Sequence, residues 1–126
     1  HSSVRWADAA VAFLEEHARR APETPFFLQV AFHAPHDPRQ APAEFLEMYP
    51  PETIDLPPNV WPEHPFDHGD FRVRDELLAP WPRTPDAVRL HRREYFAMVT
   101  HADRQIGRIL DTLRGRGLEE RTVVVF

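Results

Sequence analysis

Proline places the strongest limit on what this chain can fold into. Twelve of its 14 prolines lie between His33 and Pro85. Each removes a backbone N–H and fixes φ, so most of that stretch can be neither a long helix nor a central strand. Regular structure is confined to the two flanks. Inside the stretch only "APAEFLEMY" has the pattern of a short helix, with Pro42 near its start. Trp61, Phe66, Phe71 and Trp81 mark an ordered excursion that packs onto something, since a flexible linker would be poor in aromatics. Structureless loops this long are uncommon in compact domains and tend to carry function.

On the first flank, "VRWADAAVAFLEEHARR" predicts an amphipathic helix over 4–20. Trp6, Ala10, Phe13 and His17 fall at helical spacing, Ala9 and Leu14 lie beside them, and Ser2 or Ser3 is placed to cap the start. Pro22 and Pro25 stop it. The run 26–32 is nearly continuous in apolar residues, the pattern of a strand covered on both faces. On the second flank, Thr84-Pro85-Asp86 is a helix start: a capping hydroxyl, a proline in the first turn, then an acid. Val88, Tyr95, Val99, Ala102, Ile106, Ile109 and Leu113 then keep helical spacing over 85–114, and Gly115 and Gly117 end the helix. The run 121–126 reads as a second buried strand. The expected architecture is α/β: two parallel strands joined by a long helix, with a large Pro-rich insertion at 33–85.

The chain begins at His1 and ends at Phe126 inside an apolar run, and the expectation is an internal segment of a longer single catalytic domain. A net charge of −5 without a basic face argues against a nucleic-acid partner. All fifteen basic residues are Arg, a coding bias from which no function is drawn. No stretch is apolar enough for a membrane segment. With no cysteine, the chain offers no disulfide framework, thiolate nucleophile or thiolate zinc site. Any leader would precede His1, so the compartment stays open.

Chemistry concentrates where strand 26–32 ends. Sites in open α/β sheets form beyond the carboxyl ends of strands, and His33 and His36 stand there in "FHAPHDP". On spacing alone an H-x-x-H pair in a loop is weak evidence. It lacks helical i, i+4 geometry and a declared third ligand, so the metal assignment within this chain is none. His64, Asp67 and His68 in "PEHPFDHGD" could supply ligands or form a solvated turn. His101 reads as a packing residue on the helix, and Asp103 as the source of a structural hydrogen bond.

The segment "PFFLQVAFHAPHDP" resembles "PFFLYVAFHAPHxP" of the sulfatase family, in the alkaline-phosphatase-like superfamily. The resemblance continues in the family's order through "MYPPETIDLPPN", "RDELLAPWPRTP", "YFAMVTHADRQIGRILDTL" and "TVVVF", over about residues 23–126. It implies a three-layer α/β/α fold and cleavage of sulfate monoesters, with a small-molecule or carbohydrate sulfate ester as partner. It also implies a formylglycine nucleophile, made from cysteine in a C-x-P-x-R context, and a divalent cation, Ca²⁺. Neither that motif nor the family's acidic metal motif, which follows the strand matching "TVVVF", occurs in this chain. By the same resemblance His36 is the catalytic candidate, contacting the sulfate and protonating the leaving oxygen, and His33 is a substrate contact. A positioned imidazolium can neutralise charge building on a leaving oxygen. Two alternatives stay open: a phosphodiesterase or phosphonate monoester hydrolase of the same superfamily, and a non-catalytic α/β binding module.

Overall fold

The computed structural model describes residues 1–61, 69 and 77–126. Three α-helices form its frame: α1 (Ser2–Arg20), α2 (Ala43–Glu47) and α3 (Pro85–Gly115). Short 3₁₀ turns follow at Pro51–Thr53, Pro58–Val60 and Glu119–Arg121.

Helix α3 starts and stops by local chemistry. Thr84 caps it, its hydroxyl accepting from the Ala87 N–H at 3.2 Å, and Pro85 occupies the first turn, where no N–H is needed. At the other end Gly117 takes φ 68°. The Leu118 N–H donates to Leu113 O and the Gly117 N–H to Arg114 O, each at 3.0 Å, which satisfies carbonyls the helix would leave open. This closure also turns Leu118 back onto Leu113, and the two join Leu14 in a buried cluster.

Helix α1 is capped by the His1 imidazole, which accepts from the Ser3 N–H, and not by Ser2 or Ser3. Its buried stripe is Ser3, Ala7, Ala10 and Leu14, whereas Trp6 is 55% exposed and Phe13 40%. The inward face is therefore turned by about one residue from the predicted one. Close packing explains this: Ala7 and Ala10 are 0% and 3% exposed, and a helix can approach its neighbour this closely only through small residues. Trp6 and Phe13 are too large for that seam and flank it. On α3, Tyr95 and Val99 are likewise exposed, and Ala97, Met98, His101 and Gln105 are buried instead.

Neither predicted strand is present among the described residues. Residues 25–33 and 122–126 are extended, but among the described residues no backbone hydrogen bond joins one to the other, and those they make, at His33 O and the Thr122 N–H, close local turns. A strand is defined by its ladder, and a lone extended segment has none. The side chains of 26–32 nonetheless alternate: Phe26, Leu28, Val30 and Phe32 are partly buried, and Phe27, Gln29 and Ala31 are exposed. Both segments bound an apolar groove of about 390 Å³, floored by Ile106, Ile109, Leu110 and Leu113 of α3. The residues just before them are tied together, Arg121 pairing with Glu23 at 2.7 Å. No helix among the described residues is long and apolar enough to cross a membrane.

Apolar burial holds α1 on α3 more strongly than the ion pairs across the seam. Leu14 is 1% exposed, and Leu14→Ala is expected to lower unfolding free energy by about 2–5 kcal/mol in urea titration. The Asp8–Arg108 pair, 2.6 Å long, is open to solvent, so Asp8→Asn should cost less than about 1 kcal/mol. A reversed order would show that the seam is electrostatic.

A buried histidine, His101, and a half-buried one, His91, add a pH dependence. Burial lowers the His101 pKa, assisted by the amino-terminal charge and opposed by Glu44. Burial, then Arg39, lowers that of His91. Each binds protons less readily folded than unfolded. Their contribution is intact above the ordinary histidine pKa of about 6.5 and is lost as pH falls below it toward the folded value. The urea midpoint should drop on acidification through that window, and His101→Leu should flatten the slope.

Candidate active site

The extended segment that begins at Phe26 ends in a tight turn at His33–Pro38. The His36 N–H donates to His33 O at 2.9 Å, and the peptide bonds before Pro35 and Pro38 are cis. One backbone atom organises both imidazoles: Asp37 O accepts from His33 Nε2 at 3.0 Å and from His36 Nδ1 at 2.8 Å. A carbonyl oxygen has two lone pairs and can serve both rings, but it can only accept. His36 therefore carries a proton on Nδ1 and His33 on Nε2. The ring centroids lie 5.0 Å apart, tilted by 41°, and both residues are exposed. On His36 the nitrogen left for an incoming group is Nε2, across the ring from the anchored one.

The turn is in turn held by charge. The Asp37 carboxylate meets Arg39 Nε at 3.3 Å, and the same Nε lies 3.5 Å from Glu94 on α3. The Arg39 side chain is only 21% exposed, so this bridge is better shielded than the pairs on the helix faces. A pocket of about 540 Å³ opens beside it, walled by Asp37, Arg39, Arg83, His91 and Arg92 among others. Sequence reasoning overlooked Asp37, Arg39, Glu94 and His91. Asp37 and Arg39 sit within and beside the histidine motif, and that adjacency was the available signal. Glu94 and His91 had none.

The remaining candidates stay apart from this turn. His101 is buried against Phe45 with ring centroids 4.9 Å apart, a packing residue as expected, although its Nδ1 has no hydrogen-bond partner. Asp103 is exposed and makes no hydrogen bond among the described residues, contrary to the structural role expected for it. His64, Asp67 and His68 lie outside the described residues. No group of three or more His, Asp or Glu side chains that could hold a metal ion occurs among the described residues, and the sequence contains no cysteine. The residues present therefore do not fit the cation or the formylglycine that the resemblance implies.

Comparison with known proteins bears on what such a turn belongs to. Human iduronate 2-sulfatase is 35% identical over 94% of this chain, which covers 24% of that protein. An ulvan-active sulfatase of Formosa agariphila is 34% identical over the whole chain, covering 20% of the relative. An arylsulfatase of Clostridium perfringens is 32% identical over 86%, covering 22%. The chain thus spans between a fifth and a quarter of the length of these relatives. No solved structure gives a significant match. The sulfatase family profile matches residues 1–126 from end to end, and the chain belongs to that family, whose fold is of the alkaline-phosphatase-like α/β kind.

Proposed function

We propose that the whole protein is a sulfuric ester hydrolase in which His36 protonates the leaving oxygen of a sulfate monoester. The observation that carries this reading is the anchoring of His36 Nδ1 on Asp37 O, in an exposed turn at the end of an extended segment. As the S–O bond breaks, its electron pair passes to the ester oxygen. A proton from Nε2 of the His36 imidazolium neutralises that oxygen, and the Nδ1 proton stays on the ring, donated to Asp37 O, and keeps the ring in place. His33, on the same carbonyl, contacts substrate. The nucleophile and the cation, Ca²⁺ by the resemblance, come in this reading from polypeptide outside these 126 residues. Two relatives are named for iduronate and ulvan, which favours a sulfated carbohydrate as substrate. Segments 26–32 and 121–126 are then parallel strands of the family's α/β sheet. The Glu23–Arg121 pair ties the chain just before the first segment to the start of the second, and a long helix runs between them in the chain, as a crossover requires.

In the full-length protein His36→Ala should lower kcat by about 10²- to 10⁴-fold on an alkyl sulfate, the usual worth of a general acid. The loss should be much smaller on 4-nitrophenyl sulfate, whose leaving group needs little protonation. An equal loss on both esters would make His36 a sulfate-binding residue only. Hydrolysis of nitrophenyl phosphate in preference to the sulfate would move the chemistry to phosphoryl transfer. His33→Ala should act mainly through KM.

The cation supplies a separate check. Calorimetric titration of the 126-residue chain with Ca²⁺ should give no stoichiometric micromolar site, because the described residues assemble no ligand cluster. A tight site would place the metal within this chain.

A further inference from the structure

Among the described residues, three guanidinium groups and one carboxylate, Asp37, line the pocket beside the histidine turn. Arg39 is already shared between Asp37 and Glu94. Arg83 donates from Nε to Ala79 O at 3.1 Å, and its guanidinium lies 4.7 Å over the Trp81 ring. Arg92 differs: its guanidinium lies 5.2 Å over Phe96, it has no carboxylate partner among the described residues, and its Nε is buried without a hydrogen bond. A half-buried cation without a counter-charge is costly unless a ligand supplies one. The neighbouring His91 is held toward its neutral form by burial first and then by Arg39 and, last, Arg83, against the opposing carboxylates of Glu94 and Asp37.

Position says which anion. The residue whose carbonyl fixes both imidazoles is the residue whose carboxylate enters the pocket wall. A group attached to the same molecule as the ester is therefore the ligand presented to it. The volume, about 540 Å³, exceeds what a lone inorganic anion fills and suits part of a sugar ring. We propose that this pocket is a subsite for a second anionic group, a carboxylate or a further sulfate, on the substrate whose ester faces His36. The enzyme would then select doubly charged carbohydrate esters over singly charged ones. This deepens the reading of the protein as a sulfuric ester hydrolase and rests on it.

The test uses the full-length enzyme and three esters: a sulfated uronic acid, its carboxyl methyl ester, and 4-nitrophenyl sulfate. Arg92→Gln should raise KM for the free acid roughly tenfold, the loss of one charged contact, and move the other two less than about twofold. Equal effects on all three, or none, would overturn the subsite. Should Arg92→Gln fail to fold, Leu78→Glu puts a carboxylate on a wall residue that is 47% exposed. It should discriminate against the free acid by repulsion, and indifference between acid and methyl ester would again overturn the proposal. Wild-type enzyme inactive on every ester would sink the sulfatase reading instead. The pocket is then read by calorimetry with sodium glucuronate against methyl glucuronate. Binding of the first alone, abolished in Leu78→Glu, supports the subsite, and equal binding of the two refutes it.

Discussion

Helix α3 is packed on several sides, and the smallness of the residues along one of them fixes the geometry of the rest. The small Ala7–Ala10 stripe brings α1 close enough to α3 for Leu14 to reach Leu113 and Leu118. Beside that seam, Phe45 of α2 sits under His101 and the Arg104 guanidinium, and Tyr49 bonds Thr100 at 2.5 Å. A larger residue at 7 would push α1 outward and open the Leu14 cluster, because a close-packed interior has little free volume to absorb it. Charge follows packing here. Asp8–Arg108, Glu15–Arg116 and Glu44–Arg104 all join elements that apolar contact has already brought together.

What the sequence disclosed depended on how local the cause was. The start of α3 was legible because Thr84, Pro85 and Asp86 act on the nearest turn, and its end because Gly117 alone supplies the left-handed φ. The inward face of α1 was not, since hydropathy ranks Trp6 and Phe13 above Ala7, and only the α3 surface reveals that the seam admits alanine. The strands were legible as pattern and not as structure: alternation at 26–32 belongs to the segment, but a ladder belongs to a pair. At the site, His33 and His36 were visible as residue types. Their common anchor was not, because a backbone carbonyl carries no side-chain signature.

The extended segments show what an unfinished layer looks like. Phe27, Val123, Val125 and Phe126 are each at least 85% exposed, although such residues usually seek cover. On their inner side the same segments bound a groove whose floor is α3. One side of each segment thus meets the helical layer and the other is bare, and no ladder of backbone hydrogen bonds joins the two among the described residues. Under the proposed function the helices are one outer layer of the family's α/β fold and these segments the part of the sheet they would cover.

The position of the proposed acid is inherited from that helical layer. His36 is oriented by Asp37 O, Asp37 is joined through Arg39 to Glu94, and Glu94 is carried by α3. Every link has a counterpart that does not move independently: Arg93, next to Glu94, donates to Leu46 O and ties the same turn of α3 to α2. An imidazole on an otherwise solvent-exposed turn is thereby referenced to a 31-residue helix, whose own position is set by alanine, leucine and phenylalanine contacts well away from it. Proton transfer tolerates little error in donor placement. Residues that never approach an ester, Ala7 and Leu14 among them, can therefore govern its cleavage through the geometry they impose on His36.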